Sequence, residues 1–270
     1  MHPPFVVIDK ERGETPLEAV YRWRERASLS QDMPVSYAGR LDPMAEGKLL
    51  ILIGDECKRQ KEYIGLDKEY VVEVLLGFKS DTGDVLGMPE KAASTSLPTK
   101  SEVLRALRGE LGTHERAYPI FSSKTVGGKP LFMYALEGTL GSIQVPTHPE
   151  TFYRIGLLGT RTVDSDTLRV RIEEMLAYTP VSDEPSKALG ADFRIARIRP
   201  KWEELLSTDA TYAVLTLRVI SGSGAYMRTL AERMGTTLGT SGLALSIRRT
   251  RIGRYRRLPF GIGYWRKEYR

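Results

Sequence analysis

The chain contains a single cysteine, Cys57, which excludes an internal disulfide framework. One cysteine fits a protein that works in a reducing compartment, and we therefore expect a cytoplasmic location. Histidine is also scarce, because the chain has only His2, His114 and His148. These three residues are far apart and lack the spacing of zinc ligands, so the sequence predicts no metal site.

Long apolar segments are missing as well. No run approaches the roughly 20 residues that a helix needs to cross a bilayer. The first four residues, Met1-His2-Pro3-Pro4, lack the basic and apolar regions of a secretion signal, and we expect no membrane association. A content of 41% hydrophobic and 27% charged residues is typical of globular proteins, and 270 residues suffice for one large or two smaller domains.

Positive charge is concentrated at the C-terminal end. Residues 247–270 hold nine cationic side chains and one carboxylate, Glu268, which leaves the first 246 residues with a net charge of −2. Aromatic residues are interleaved with these cations: Tyr255, Phe260, Tyr264, Trp265 and Tyr269. This pattern indicates contact with a polyanion such as RNA, and a solvated basic terminus is the alternative.

Strands and helices alternate without a regular βαβ rhythm, which predicts an α+β fold around a mixed sheet. Thr15 and Thr99 each begin a capping pattern for a helix. Residues 77–87 form a polar glycine-rich loop that does not fit a calcium-binding EF-hand. The predicted irregular segments are a linker at 88–99 and an insertion at 179–210. The predicted strands are 5–9, 49–53, 68–76, 150–158, 167–176 and 212–220, and the predicted helices are 16–29, 58–64, 99–111, 130–137 and 225–234.

The most specific local pattern is Gly39-Arg40-Leu41-Asp42-Pro43-Met44-Ala45-Glu46-Gly47. Pro43 keeps Asp42 out of the right-handed helical region, so the aspartate lies in an extended or turn conformation. Gly39 and Gly47 permit positive φ or the close approach of another segment. Taken alone, this stretch favours an ordinary Asp-Pro surface turn over a catalytic loop.

Four stretches taken together resemble the tRNA pseudouridine synthase B (TruB) family. They are the Asp42 loop and residues 68–87, 122–138 and 221–254, in the family's order. Asp9-Lys10-Glu11-Arg12-Gly13 also resembles the family's first motif, although Glu11 stands where proline is usual. The resemblance implies the pseudouridine synthase fold, with a mixed, largely antiparallel central sheet flanked by helices and loops. It also implies a catalytic domain over residues 1–255 that requires no cofactor and no metal.

The resemblance implies a role for each of four residues. It makes Asp42 the nucleophile that isomerises a uridine already present in RNA, where the bond from C1′ to N1 breaks and a bond to C5 forms. Arg228, in Gly224-Ala225-Tyr226-Met227-Arg228-Thr229-Leu230, matches the arginine that pairs with this aspartate. Tyr70 matches the tyrosine that stacks on the target base, and Ile247 matches an apolar wall of the pocket. Ordinary alternatives are an exposed helix charge for Arg228 and core packing for the other two.

The resemblance further implies a tRNA substrate whose T-arm loop presents a uridine that is flipped out of the stack. Residues 118–148, which include Lys124 and Lys129, match an insertion that clamps the T-arm. Lys10 and Arg249 are further candidates for phosphate contacts. Tyr37 stands where histidine is usual in the family, and stacking on the RNA would replace part of that role.

Two alternatives remain open at the level of sequence. Gly-Arg-Leu-Asp also resembles the RluA and RsuA types of pseudouridine synthase, which act on other RNAs but follow the aspartate with a Thr-Ser-Gly pattern. A non-catalytic protein that binds or folds tRNA would use the same scaffold. Residues 256–270 are too few for the RNA-binding PUA domain of many relatives, and we expect them to form a basic tail that contributes to tRNA binding. We expect a monomer.

Overall fold

The computed structural model describes residues 2–93, 97–178, 194–258 and 262–270. Seven α-helices occur within these ranges: α1 (Pro16–Arg26), α2 (Gln60–Ile64), α3 (Lys100–Gly109), α4 (Leu131–Leu136), α5 (Ser165–Ala177), α6 (Ile195–Leu205) and α7 (Met227–Thr237). The strands in the same ranges are β1 (Phe5–Lys10), β2 (Val35–Ala38), β3 (Ala45–Ile53), β4 (Asp67–Leu76), β5 (Phe78–Ser80), β6 (Pro89–Lys91), β7 (Gly112–Ala117), β8 (Thr125–Val126), β9 (Lys129–Pro130), β10 (Thr147–Asp164), β11 (Thr211–Ser221), β12 (Gly242–Arg257) and β13 (Gly263–Tyr269).

Nine of the described strands form one sheet in the order β1-β3-β12-β4-β11-β10-β7, with β2 beside β3 and β13 beside β12. Its described strand pairs are antiparallel except for β3 and β12, which run parallel and place Ile247 opposite Ala45. The predicted α+β fold with a mixed, largely antiparallel central sheet flanked by helices is therefore confirmed.

The main core lies where helices cover the middle of this sheet. Leu75 of β4 and Leu217 of β11 are fully buried with Leu230 of α7, and Trp202 of α6 is 2% exposed in the same cluster. A smaller cluster surrounds Ile51 of β3 and includes residues of α1. Both capping patterns that the sequence predicts are present. The Thr15 and Thr99 side chains accept from the amides of Glu18 and Glu102, and the two threonine amides donate to the glutamate carboxylates.

The predicted strand at 167–176 is wrong, because these residues belong to α5. Leu168, Ile172 and Met175 recur at helical spacing and are buried, whereas Val170 between them is 61% exposed. Asp164 caps this helix by accepting a hydrogen bond from the Thr167 amide at 2.7 Å. The preceding strand β10 runs to Asp164 and is therefore longer than predicted.

Other predicted boundaries also change. Part of the predicted insertion, 179–193, lies outside the described residues, whereas 195–205 is helical because Ile198 and Trp202 pack into the core. The loop at 77–87 and the linker at 88–99 contribute the short paired strands β5 and β6. The helix predicted at 225–234 runs from Met227 to Thr237 and includes Gly235. Glycine is required at that position because a Cβ would lie 2.0 Å from the Gly242 amide nitrogen.

The basic C-terminal segment contributes to the sheet. Within the described residues 262–270, strand β13 pairs with β12, and Tyr269 packs edge-on against Phe5 and Tyr63. No helix within the described ranges combines the length and the apolar character that crossing a bilayer requires.

Candidate active site

A cavity of about 580 Å³ opens beside the parallel strands β3 and β12. It brings together six residues that the sequence predicts for catalysis or substrate binding. They are Tyr37, Asp42, Tyr70, Arg228, Ile247 and Arg249. Three predicted cations, Lys10, Lys124 and Lys129, do not line this cavity.

The Asp42 loop is a tight connection between β2 and β3. The Ala45 amide donates to the Asp42 carbonyl oxygen at 2.9 Å and closes a turn around Pro43. Gly47 has φ +101°, and a Cβ there would lie 2.3 Å from the carbonyl oxygen of Arg249. Glycine is therefore required at this position both for its backbone conformation and for the close approach of β12.

Arg228 is the second residue of α7 and reaches from the helix to the Asp42 loop. Its Nε donates to Asp42 Oδ2 at 2.7 Å and lies 3.6 Å from Asp84 Oδ2. A cation at a helix N-terminus opposes the helix dipole, and these two carboxylates offset that cost. Burial alone lowers the pKa of Arg228, but the charges of Asp42 and Asp84 outweigh burial and raise it. The guanidinium is therefore a permanent cation that holds Asp42 in one orientation.

The other nitrogens of Arg228 bind backbone carbonyls. One donates to Thr82 O, and another donates to Phe121 O at 3.0 Å. The Arg228 side chain is only 4% exposed, whereas that of Asp42 is 44% exposed and lines the cavity. A buried, immobilised arginine thus presents an accessible carboxylate to the cavity, an arrangement suited to a positioned nucleophile.

Asp84 is a site residue that the sequence interpretation missed. Its Oδ1 accepts from Thr82 Oγ1 at 2.7 Å and from the Leu86 amide at 3.0 Å. Burial raises its pKa to about 6, with Arg228 and the Thr82 hydrogen bond opposing that rise and Asp42 adding to it. One sequence signal indicated that Asp84 is buried: it directly precedes the apolar residues Val85 and Leu86, which the structure shows to be buried.

Tyr70 and Ile247 lie on adjacent strands, β4 and β12, and are 8% and 4% exposed. Both line the cavity and also contact the main core. Leu41, Met44 and Phe132 add further apolar surface to the lining. The cavity therefore combines apolar walls with a small number of polar groups, which is the usual character of a ligand pocket.

Lys10 and Arg249 face the protein instead of the predicted phosphates. Lys10 is 1% exposed, and its amine donates to Ala45 O at 2.7 Å, while burial lowers its pKa to about 8. Arg249 is also 1% exposed and donates to the carbonyl oxygens of Lys48, Arg40 and Gly39. Both side chains therefore stabilise the Asp42 loop through hydrogen bonds to its carbonyl oxygens.

The two predicted cations of segment 118–148 contact other residues of that segment and do not line the cavity. Lys124 sits over the ring of Tyr118 at 4.9 Å. Lys129 pairs with Glu137 and lies over the ring of Tyr134 at 4.6 Å. The same segment reaches the cavity through other residues, namely Phe121, Ser122, Ser123, Phe132 and Leu136.

Lys68 also lines the cavity and was missed. It is 4% exposed, and its amine donates to Ile64 O at 2.8 Å. Burial, together with the nearby positive charge of Arg249, lowers the pKa of Lys68 to about 7. No group of three or more His, Cys, Asp or Glu side chains in the described part of the chain is arranged to hold a metal ion.

Residues 27–175 match the model of the TruB family pseudouridylate synthase, N-terminal domain. The chain belongs to the TruB family. Asp42, Tyr70 and Asp84 lie within the matched residues, whereas Arg228 and Ile247 follow them. The TruB-family match thus contains the loop of the predicted nucleophile, and the structure adds the arginine from outside it.

Curated TruB-family relatives cover nearly all of the chain. The tRNA pseudouridine synthase B of Aromatoleum aromaticum is 28% identical over 259 residues, which are 95% of this chain and 64% of that protein. The proteins of the same name from Thermus thermophilus and Deinococcus radiodurans are 29% and 27% identical and are covered over 72% and 74% of their length. This chain therefore spans slightly less than two thirds of the first relative.

The fold is also similar to one in the crystal structure of a Cbf5-Nop10-Gar1 complex. The TM-score is 0.54 at 15% identity, over 92% of this chain and 48% of that chain. At this level of identity the similarity concerns the fold alone.

Proposed function

We propose that this TruB-family chain isomerises a specific uridine in the T-arm loop of tRNA to pseudouridine. Asp42 is the nucleophile, and the target base is flipped into the cavity. The observation that carries this proposal is the 2.7 Å contact between buried Arg228 and accessible Asp42 at the cavity. The relatives named tRNA pseudouridine synthase B support tRNA as the substrate class.

The reaction conserves the atoms of the uridine. The Asp42 carboxylate adds to the nucleotide or assists departure of the uracil, and the bond between C1′ and N1 breaks. The uracil then turns so that C5 meets C1′, a C–C bond forms, C5 loses its proton, and N1 gains one. Any bond formed between Asp42 and the nucleotide breaks before release, which restores the free carboxylate. Apolar walls such as Ile247 and Met44 suit this step, because they hold the base without hydrogen bonds that would resist its rotation.

Tyr70 and Tyr37 line the same cavity and supply aromatic surface. In the proposal, Tyr70 stacks on the flipped base and is the candidate acceptor of the C5 proton. Tyr37 stacks on the neighbouring nucleotides of the loop. Flipping costs a few kcal/mol, which contacts elsewhere on the RNA must offset. Lys124 and Lys129 are candidates for such contacts within segment 118–148.

The direct test is to incubate an unmodified tRNA transcript with the protein and map pseudouridine by carbodiimide stops or mass spectrometry. We expect one modified position in the T-arm loop, and no product there when the target uridine is replaced by cytidine. Product from another RNA in a parallel assay, with none from the tRNA, would favour the RluA or RsuA alternative. Tight tRNA binding without product would support the non-catalytic alternative.

We expect the rate of isomerisation to fall as the pH drops below about 6, and we assign this acid limb of the pH profile to Asp84. Its pKa is raised to about 6, so it gains a proton as the pH falls through this value and loses its charge beside Arg228. We expect the single-turnover rate to fall about tenfold below this limb, because a charge-assisted contact to the orienting arginine is weakened. Asp84→Asn should be slow at every pH and lack the limb, as measured by rapid-quench assays.

Asp81→Asn is the matched control, because Asp81 lies in the same loop but pairs with Arg194 at 2.6 Å. It should keep the acid limb, and a limb retained by Asp84→Asn would contradict the assignment. Acidification has the opposite effect on the stability of the fold, because protonation of Asp84 increases the free energy of unfolding. The pKa of Asp84 is about 6 in the folded state and 3.8 in the unfolded chain, so the folded state binds the proton more tightly. The destabilising charge is therefore fully present above about pH 6 and is lost as the pH falls toward 4.

A further inference from the structure

One face of the hairpin formed by β12 and β13 carries cations placed directly opposite one another. The register pairs Arg254 with Lys267 and Arg256 with Tyr264. Arg254 and Arg256 are two residues apart on β12 and therefore share a face, and their opposite partners lie on the same side although the register shifts between the two pairs. All four side chains are exposed, and we call the surface of Arg254, Arg256, Lys267 and Tyr264 the basic face. Like charges directly opposite each other destabilise a strand pair, so this arrangement has a cost within the protein itself.

Among the described residues, no carboxylate forms an ion pair with the cations of the basic face. Within the described ranges, Arg256 and Lys267 have no carboxylate oxygen within 4 Å, and Lys267 instead lies 4.7 Å from the ring centre of Tyr269. Arg254 donates to the backbone oxygen of Glu62 at 3.5 Å. Its charge also helps to lower the pKa of the Glu62 carboxyl, but that carboxylate forms its ion pair with Arg59 at 2.8 Å. The positive charge of this face is therefore available to a partner.

Helix α2 connects the basic face to the cavity. Arg254 contacts the backbone of Glu62 in this helix, and Ile64 of the same helix lines the cavity. Gln60 of α2 donates to the carbonyl oxygen of Tyr37 at 2.8 Å, and Tyr37 also lines the cavity. If one nucleotide of an RNA occupies the cavity and the RNA backbone then passes α2, the next surface that it meets is the basic face.

We propose that the basic face binds the phosphate backbone of the RNA stem next to the flipped uridine. This inference rests on the proposed function for the identity of the RNA. Cations separated by two residues along a strand are about 7 Å apart, so several reach one phosphate backbone together, and Tyr264 adds a polar ring at its edge. The bound phosphates also relieve the repulsion between Arg254 and Lys267.

Protection of a free strand edge is the competing explanation for these cations. Strand β13 pairs on one side only within the described residues, and lysine on such strands discourages pairing between molecules. The two explanations differ in what substitution changes. Loss of edge protection produces association of the protein with itself, whereas loss of phosphate contacts weakens RNA binding and its dependence on salt.

The test compares two double variants that each remove two positive charges. Arg256→Ala with Lys267→Ala alters the basic face, and Lys100→Ala with Arg105→Ala alters exposed cations of α3, which does not line the cavity. Equilibrium binding to a tRNA transcript is measured across a salt series. We expect the first variant to bind about tenfold more weakly, with a salt slope smaller by about two, and the second to match wild type.

A second substrate makes the result specific for the stem. A T-arm hairpin with a shortened stem should bind wild type more weakly than the full arm, and the basic-face variant should lose this difference. Equal losses in both double variants, or self-association of the basic-face variant with unchanged RNA binding, would overturn the inference. If wild type binds tRNA with the expected salt dependence but forms no pseudouridine, the proposed function fails while the basic face stands.

Discussion

Replacing Asp42 by asparagine is expected to lower the single-turnover rate of pseudouridine formation by at least about 10⁴-fold. An amide has nearly the shape of the carboxylate but lacks the charge and nucleophilicity that attack on the nucleotide requires. Asp42 pairs with the buried Arg228, so loss of its charge should lower the free energy of unfolding by about 1–3 kcal/mol, although the amide oxygen can still accept a hydrogen bond. Rate is measured with enzyme in excess over tRNA, and stability by urea unfolding.

Asp9→Asn provides the control for this experiment. Asp9 lies at the end of β1, is more than half exposed and pairs with Lys48, and it does not line the cavity. This variant should form product at the wild-type rate. Binding of tRNA by Asp42→Asn should remain close to wild type, because the phosphate contacts that we propose lie outside the cavity. Product formed by Asp42→Asn at more than a few per cent of the wild-type rate would rule out Asp42 as nucleophile.

Arg228→Lys is expected to lower the rate by about 10²- to 10³-fold even though the positive charge is kept. A lysine amine cannot reproduce the planar set of donors that binds Asp42, Thr82 O and Phe121 O at once. At least one buried acceptor loses its partner, and we expect the free energy of unfolding to fall by about 1–3 kcal/mol. Rates measured well below the melting temperature separate the loss of activity from the loss of stability.

Arg233→Lys is the matched substitution on the same helix. Arg233 binds Glu110 and Glu150 at 2.9 and 2.8 Å and does not line the cavity. This variant should lose stability to a similar extent while its folded fraction keeps the wild-type rate. If both variants lose rate in proportion to stability, Arg228 has a structural role only.

The sequence pointed to Asp42 and Arg228 but not to Asp84, which lies beside Arg228. The Asp42 loop alone favoured an ordinary turn, and the resemblance of four stretches to the TruB family singled out Asp42 and Arg228, whose side chains the structure places in contact. Asp84 lies in a loop that reads as polar and exposed. It is buried because β12 and α7 pack over that loop, with the Ala244 amide donating to Gly83 O at 2.9 Å. No local pattern records a contact between segments so distant in sequence.

Lys10 and Arg249 illustrate the same limit for charged residues. A cation in a sequence predicts an exposed side chain, because burying a charge without partners is costly. Here the carbonyl oxygens of the Asp42 loop supply the partners, and they converge only after β1, β3 and β12 have paired. The residue type was therefore informative, but its environment depended on the assembled sheet.

Helix α5 was missed for a different reason. Leu168, Val170 and Ile172 alternate with polar residues, which is the period of a strand, while Leu168, Ile172 and Met175 also match a helix. The two patterns compete over ten residues, and tertiary packing decides between them. Asp164 was informative in retrospect, because an aspartate before such a segment is a common helix cap.

The residues that meet at the Asp42 loop are translated at widely separated times. Asp42 and Arg228 are 186 residues apart, and Arg249 reaches back 201 residues to Lys48. At about 5–20 residues per second, roughly 10–40 s separate translation of the aspartate from that of its arginine. Throughout that interval the nascent chain carries Asp42 without the arginine that orients it, so this ion pair forms only after translation has passed Arg228.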